Sequence, residues 1–149
     1  MTHISPARPA HLPDLLAMVR ALSAFHGEEA TVTLEQLQEM FFGAAPSATA
    51  LVAMQEDQIV GYAALTWDLV LHEASLRMDI HHLYVTEAKR GLGVGTALID
   101  AARKVAQDRG ATRLTIGTAP QNKTAIATYR AMKGLDEMLD PGPRFRVRL

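Results

Sequence analysis

One segment of the chain, Leu83 to Thr96, constrains the fold more than any other. An apolar, strand-like run leads into a loop with glycines at 91, 93 and 95, and the loop passes into an amphipathic pattern that predicts a helix beginning near Thr96. Glycines let a backbone approach a ligand closely, and the first N–H groups of a helix lack intrahelical partners and lie at the positive end of its dipole. The segment therefore predicts an anion-binding loop, with a phosphate as the expected ligand.

Spacing separates three kinds of phosphate-binding loop. A P-loop needs Lys and then Ser or Thr after its last glycine, whereas Gly95 is followed by Thr96 and Ala97. A dinucleotide fingerprint needs a glycine at position 96 and an acidic residue about 20 positions later, but Ala111–Thr115 has no carboxylate. The remaining pattern is R-x-x-G-x-G, beginning at Arg90. It resembles the acetyl-CoA pyrophosphate loop of the GNAT superfamily of N-acetyltransferases.

The resemblance extends over essentially the whole chain. Asn122–Tyr129 matches the second family signature, and Gln58–Tyr62 and Ile4–Ala10 are similar to its usual strand and N-terminal opening. His26–Glu29 and the capping box Thr33–Gln36 resemble the spermidine and thialysine (diamine) acetyltransferase-like branch.

This resemblance implies acetyl-CoA as the acyl donor and assigns residues to it. The loop that would hold the pyrophosphate consists of Arg90, Gly91, Leu92, Gly93, Val94, Gly95 and Thr96. The backbone of Leu83, Tyr84 and Val85 would contact the pantetheine arm. Asn122 would also contact the cofactor, although Asn is equally typical of a helix N-cap.

Composition fits one globular domain spanning residues 1–149. The chain is 48% hydrophobic and 21% charged, a balance typical of a domain that buries its own core. The formal net charge of −1 disfavours nucleic acid and anionic membranes as partners, and with no cysteine the chain lacks a disulfide, a thiolate metal site and a cysteine nucleophile. Apolar runs are too short for a membrane span and no signal-peptide core is found, so we expect a cytoplasmic protein.

The order of elements predicts a mixed α/β fold. The predicted strands are a short first strand near Ile4, then Thr49–Gln55, Gln58–Trp67, Leu76–Val85, Arg113–Thr118 and Phe145–Leu149. The predicted helices are Leu12–Phe25, a helix opened by the capping box, a helix from near Thr96 to Gly110, and Asn122–Met132. In the resembled fold these elements form a central, mostly antiparallel sheet that is splayed between strands 4 and 5 and flanked by about four helices.

In the fourth strand, the apolar positions shift from even to odd residue numbers. Apolar side chains fall on even positions at Met78 and Ile80 but on odd positions at Leu83 and Val85. A strand with period 2 does this only when an extra residue is inserted, so we predict a β-bulge around residues 81–82. In the resembled family such a bulge opens the wedge that receives the cofactor.

Two side chains are candidates for catalysis. The resemblance makes Tyr129 the acid that protonates the leaving thiolate, although a tyrosine on an apolar helix face is also typical of a core. His81 stands where the diamine branch has a Glu base, and an imidazole is a competent base at neutral pH. An ordinary strand histidine is the alternative. The implied mechanism is direct attack of a primary amine on the thioester, with a backbone N–H near Leu83 as the oxyanion donor.

The acceptor side carries weaker predictions. Glu28 and Glu29 follow the first helix and would bind an ammonium group, unless they are simply solvated. Tyr62 and Trp67 would shape the same pocket if they are not core residues. Because successive strand residues point to opposite faces, we expect the pair 81–82 not to share a metal ion, and we predict no metal cofactor.

The predicted function is therefore acetyl transfer to a small-molecule amine, without a nucleic-acid or membrane partner. One alternative is a protein or peptide acetyltransferase, which would need an open acceptor groove. Another is a non-catalytic acyl-CoA-binding regulatory domain on the same scaffold. The resemblance also implies a homodimer.

Overall fold

A computed structural model describes residues 1–139 and 142–149 of the chain. The strands are β1 (Thr2–Pro6), β2 (Thr49–Gln55), β3 (Gln58–Val70), β4 (Ser75–Val85) and β5 (Ala111–Ile116), and the helices are α1 (Leu12–Phe25), α2 (Leu34–Phe42), α3 (Val94–Asp108) and α4 (Lys123–Ala131). The chain divides into two compact units, Met1–Ile116 and Gly117–Leu149, and the sheet lies entirely in the first. The α/β class and the four helices are confirmed.

The five strands form one sheet in the order β1-β2-β3-β4-β5. Every neighbouring pair is antiparallel except β4 and β5, which are parallel. The pairing of β4 with β5 ends at Ile80, so residues 81–85 of β4 extend past the last residue of β5 that pairs with them. The predicted splay between strands 4 and 5 is therefore confirmed.

Both faces of the sheet in the first unit are covered by helices. Alternate strand residues, among them Val52 and Tyr62, pack against α1 and α2 in one hydrophobic cluster with Leu15 and Leu37. Helix α3 packs on the sheet through a buried stripe: Val94, Leu98, Ile99, Ala102 and Ala106. This stripe has the 3.6-residue period that the sequence shows.

The predicted β-bulge is present in β4. Ala64 of β3 pairs with His82, whereas the next residue, Leu65, pairs with Ile80. His81 is therefore the extra residue, and it marks the point at which β4 also leaves β5.

Local sequence signals explain the first two helices. The capping box of α2 is complete, because Gln36 N–H donates to Thr33 Oγ1 at 3.1 Å and Thr33 N–H donates to Gln36 Oε1 at 2.9 Å. Helix α1 spans Leu12–Phe25, as predicted. Among the described residues, none of the helices combines the length and apolar character needed to cross a bilayer.

Strand β5 spans Ala111–Ile116 rather than the predicted Arg113–Thr118, because its ladder with β4 begins at Ala111 and ends at Ile116. Three further predictions are wrong. Helix α3 begins at Val94 rather than near Thr96, because Gly93 serves as its N-cap. Strands β3 and β4 continue to the pair Val70 and Ser75, where a loop was predicted, because a regular antiparallel ladder persists that far. The predicted closing strand Phe145–Leu149 is absent: residues 142–149 are exposed and form no regular structure. Alternation produces a strand only where a neighbouring strand supplies ladder hydrogen bonds, and within the described part of the chain none pairs with this segment.

Candidate active site

The glycine loop ends in a helix N-terminus whose first N–H donors have no partner among the described residues. Gly93 has φ +84°, a left-handed conformation, and its carbonyl accepts the Ala97 N–H at 3.0 Å. The N–H groups of Val94, Gly95 and Thr96 precede this first helical bond and have no intrahelical acceptor. The Val94 side chain is buried and anchors the turn beneath them. The loop thus presents three backbone donors at the positive end of a 15-residue helix.

The space beside Gly93 is open. Apart from its two neighbours in the chain, a Cβ added at this position would meet no atom of the described residues within 4 Å. Gly95 differs, because its Cβ would lie 3.9 Å from Val85 Cγ2, an ordinary contact. The first turn of α3 therefore lies against the C-terminal end of β4.

Arg90 folds back onto the end of β4. Its Nε donates to the Val85 carbonyl at 2.8 Å, and its guanidinium lies 5.7 Å from the ring centroids of both Phe25 and Tyr84. One side chain thus joins the loop, the end of β4 and the end of α1. Of the backbone groups predicted to contact a cofactor, the Val85 carbonyl already has this partner.

The backbone of residues 81–85 is paired on one side only. On the β3 side, Gly61 pairs with Val85 and Tyr62 with Tyr84. This approach needs a glycine, because a Cβ at Gly61 would lie 2.7 Å from the Tyr84 carbonyl oxygen. On the other side, beyond Ile80, the described strands provide no partner. The stretch is therefore a local sheet edge inside the first unit, next to the α3 N-terminus.

The rings of His81 and His82 are stacked. Their centroids are 4.7 Å apart and their planes differ by 14°. The expectation that the two side chains point to opposite faces is wrong, because the bulge at His81 breaks the alternation on which it rested. His81 is exposed, whereas His82 is half-buried.

His82 is held by a tyrosine from the neighbouring strand. The Tyr62 hydroxyl lies 3.0 Å from His82 Nδ1, and the Tyr62 side chain is only 1% exposed. Burial lowers the pKa of His82, and the nearby His81 and His26 lower it further. Burial also raises the pKa of Tyr62, with a smaller contribution from Tyr84, so this phenol stays protonated. Tyr62 is therefore a core residue that reaches the candidate site only through its hydroxyl.

The end of α1 carries exposed side chains near these groups, and the segment after it carries two exposed carboxylates. Phe25, the last residue of α1, is 63% exposed and packs edge-on against the His26 ring, with the ring centroids 5.4 Å apart. Glu28 and Glu29 are exposed, and the described ion pairs do not include them. Trp67 does not lie beside Phe25 and His26: the guanidinium of Arg109, just past the end of α3, lies 5.0 Å from the centroid of its ring.

The second unit holds the remaining predicted residues. The Asn122 side chain accepts the Ala125 N–H at 3.1 Å, so Asn122 is the N-cap of α4. Tyr129 lies on this helix and is half-buried, and burial raises the pKa of its phenol. The cap expectation for Asn122 is confirmed, while its contact with a cofactor stays a prediction.

Sequence reasoning missed the roles of Phe25 and of the Tyr62–His82 pair. The bulge was a usable signal for the pair, because a bulge at residue 81 removes the alternation that separates adjacent side chains. In residues 1–139 and 142–149, no three His, Asp or Glu side chains converge to form a metal site.

Comparison with known proteins agrees with this architecture. The chain is 26% identical over 145 residues to the thialysine N-epsilon-acetyltransferase of Mus musculus, an alignment that covers 91% of this chain and 85% of the mouse protein. The Bos taurus protein of the same name is 24% identical over 143 residues, covering 89% of this chain and 84% of its own. These relatives carry the name of the branch that the motifs resemble.

Solved structures have the same fold. An aminoglycoside acetyltransferase from an uncultured soil metagenomic sample, in complex with trehalose, superposes with a TM-score of 0.83 at 20% identity, covering 99% of this chain and 96% of that chain. The ribosomal-protein-alanine N-acetyltransferase of Brucella melitensis superposes with a TM-score of 0.75 at 15% identity, covering 100% and 99%. The sequence profile of the acetyltransferase (GNAT) family matches residues 15–134, which is most of the chain. The chain therefore belongs to the acetyltransferase (GNAT) family.

Proposed function

We propose that this acetyltransferase moves an acetyl group from acetyl-CoA directly to a primary amine of a small molecule. The observation that carries the proposal is that a helix N-terminus and a strand edge, both without partners among the described residues, lie next to each other. Gly95, in the first turn of α3, lies against Val85 at the end of β4, just past the point where β4 leaves β5. Anion-binding donors and unpaired backbone groups thus adjoin each other in the first unit.

The residues present fit acetyl-CoA. The N–H groups of Val94, Gly95 and Thr96 would bind its pyrophosphate, and the open space beside Gly93 leaves room for it. The backbone of Leu83–Val85, except the Val85 carbonyl that Arg90 already contacts, would bind the amide groups of the pantetheine arm as a strand edge binds an added strand. When bound, the donor supplies an activated acyl thioester.

Proton transfer is assigned to two side chains. His81 is exposed at the bulge and would take the proton of the acceptor ammonium, directly or through a water. The Tyr129 phenol, kept protonated by its raised pKa, would supply a proton to the leaving thiolate. With no cysteine in the chain, a cysteinyl acyl-enzyme is not available, and direct attack by the amine is the route we propose. The family profile matches residues 15–134, which include parts of both units, so we propose that residues 1–149 act as one domain.

The names of the relatives support a primary amine as acceptor. Thialysine and aminoglycosides, after which similar proteins are named, both carry such amines. The stacked imidazoles at 81–82 replace the carboxylate-bearing motif of the diamine branch, which makes a polycation a less suitable acceptor. Glu28 and Glu29 remain exposed carboxylates that would bind one ammonium group. We also propose a homodimer, which the resemblance implies, and light scattering would test this oligomeric state. The composition implies a cytoplasmic location.

Thiol release from acetyl-CoA tests this function. The purified protein would be assayed with diamines, polyamines, lysine analogues, amino acids, aminoglycosides and short peptides. We expect turnover on one class of small amines. Turnover on peptides alone would indicate that the acceptor is a protein rather than a small molecule. Bound acetyl-CoA without turnover on any amine would favour a non-catalytic acyl-CoA-binding domain.

Asn122→Ser separates capping from cofactor binding. Serine retains an oxygen that caps α4 but lacks the amide N–H donors, so we expect the fold to persist while affinity for acetyl-CoA falls by about fivefold to tenfold. Asn122→Ala is the comparison, because it removes the cap as well and costs about 1 kcal/mol of stability. Calorimetric titration and thermal melts measure the two effects. Wild-type affinity in the Ser variant would make Asn122 a cap alone.

A further inference from the structure

We propose that the Tyr62 hydroxyl fixes His82 as the neutral tautomer with its proton on Nε2, and that His82 in turn positions the stacked His81 as the one proton acceptor of the pair. Tyr62 and His82 are then positioning residues. The role of His81 rests on the proposed function, whereas the tautomer of His82 does not.

The tautomer follows from the burial of Tyr62. A buried hydroxyl needs an acceptor for its proton, and within the described residues His82 Nδ1, at 3.0 Å, is the hydrogen-bond partner of this hydroxyl. The phenol therefore donates, and Nδ1 accepts with its lone pair. A neutral imidazole has one protonated and one unprotonated nitrogen, so the proton of His82 lies on Nε2.

His82 consequently has no nitrogen left with which to accept a substrate proton. Its Nδ1 lone pair is engaged by Tyr62, and its Nε2 is already protonated. Two successive histidines thus differ in chemistry although they share a strand and a stack. His81, exposed and without a hydrogen-bonded partner among the described residues, is the one free to act as a base.

The surroundings of His82 oppose its protonation. Tyr62 faces it from β3, His81 lies stacked at 4.7 Å on the same strand, and His26 approaches from the end of α1. Tyr84, two residues along β4, and the guanidinium of Arg90 over the Tyr84 ring are the further titratable and charged groups that the described contacts place near it. None of these groups is a carboxylate that would stabilise an imidazolium on His82.

The register explains how β3 reaches this side chain. Ala64 pairs with His82 and Tyr62 pairs with Tyr84, so Tyr62 is the diagonal neighbour of His82 on the same face. The ring of Tyr62 meets the His82 ring at 74° with centroids 6.2 Å apart, which places the hydroxyl at the edge of the imidazole. Because the bulge stacks His81 on His82, restraining one ring restrains the other.

Two-bond proton–nitrogen NMR correlations of the histidine rings test the tautomer in the wild-type protein, without any variant. We expect His82 to show a protonated Nε2 and an unprotonated Nδ1 from about pH 8 to well below its ordinary pKa of about 6.5. A protonated Nδ1 at neutral pH, or an ordinary titration of His82, would overturn the proposal. Absence of turnover on every amine of the panel would refute the proposed function but would leave this spectrum unchanged. Failure of the proposed function can therefore be told apart from failure of the tautomer assignment.

Tyr62→Phe tests the positioning role. It removes only the hydroxyl, so we expect the His82 signals to titrate at higher pH than in the wild type. The matched control for the spectrum is Tyr84→Phe, which removes a phenol hydroxyl two residues from His82 and should leave its tautomer unchanged. For an amine that the panel shows to be accepted, the pH profile of kcat/KM should fall on its acid side with a one-proton dependence in the wild type. In Tyr62→Phe, where His82 also titrates, the fall should become a two-proton dependence. An unchanged dependence would reject the coupling between the two rings.

Discussion

Gly93→Val is expected to abolish measurable binding of acetyl-CoA, a loss of at least about a hundredfold in affinity. Gly93 has φ +84°, and valine in a left-handed conformation costs about 1–2 kcal/mol or more. The larger effect is steric. The added side chain would enter the open space beside Gly93, where we place the pyrophosphate, and would separate it from the N–H groups of the α3 N-terminus.

Gly110→Val is the matched control at the opposite end of the same helix. Gly110 has φ +74°, and apart from its two neighbours in the chain its Cβ would likewise meet no atom of the described residues within 4 Å. We expect similar destabilisation in a thermal melt and near-normal affinity in calorimetry. Gly93→Asn tests the steric effect alone, because Asn tolerates a left-handed backbone, and it should still bind poorly. Equal affinities of the Gly93 and Gly110 variants would refute the assignment of the loop.

Tyr129→Phe is expected to lower kcat by about a hundredfold or more, the usual contribution of general acid catalysis. The reason is that phenylalanine keeps the ring and its packing but has no proton to give the leaving thiolate. Because burial raises the pKa of Tyr129 above its ordinary value of about 10, the wild-type phenol is protonated throughout the neutral range. We expect the affinity for acetyl-CoA to be unchanged, since the proposed contacts with the cofactor lie elsewhere.

Thr128→Val provides the control on the same helix. It removes a hydroxyl whose bond goes to the Thr124 carbonyl within α4, and it preserves the β-branched shape. Single-turnover and steady-state assays on the accepted amine should give wild-type values for this variant. Wild-type turnover in Tyr129→Phe would remove Tyr129 from the chemistry, and a weaker affinity for acetyl-CoA would instead make it a binding residue.

Much of the fold could be predicted because its signals are local. The Thr33–Gln36 capping box needs only four consecutive residues. The bulge in β4 is visible as a shift of the apolar positions from even to odd numbers within eight residues. The start of α3 was placed two residues late because Gly93 acts as both loop residue and N-cap, which composition alone does not reveal. The prediction of a closing strand is wrong for a different reason. Phe145–Leu149 has the alternation of a strand, but a strand also needs a partner strand that is remote in sequence.

The candidate site was less predictable because its contacts depend on register. The bond between Tyr62 and His82 joins residues 20 positions apart, and only the pairing of β3 with β4 brings them together. Arg90 was assigned to a phosphate from its motif, yet its side chain contacts Phe25, 65 positions away, and the Val85 carbonyl. Such contacts carry no periodic or spacing signal that a single sequence displays.

The bulge and the splay of β4 have a consequence for how such a protein changes over evolutionary time. The groups that we assign to the cofactor are mostly main-chain atoms, and every residue except proline supplies the same N–H and C=O. Substitutions along Leu83–Val85 and Val94–Thr96 therefore leave those groups in place as long as the left-handed glycine and the strand pairing survive. Sequence identities of about a quarter to the mouse and bovine relatives are compatible with an unchanged donor site. Selection is then free to act on side chains at 81–82 and 25–29, where a new acceptor would be acquired without rebuilding the scaffold.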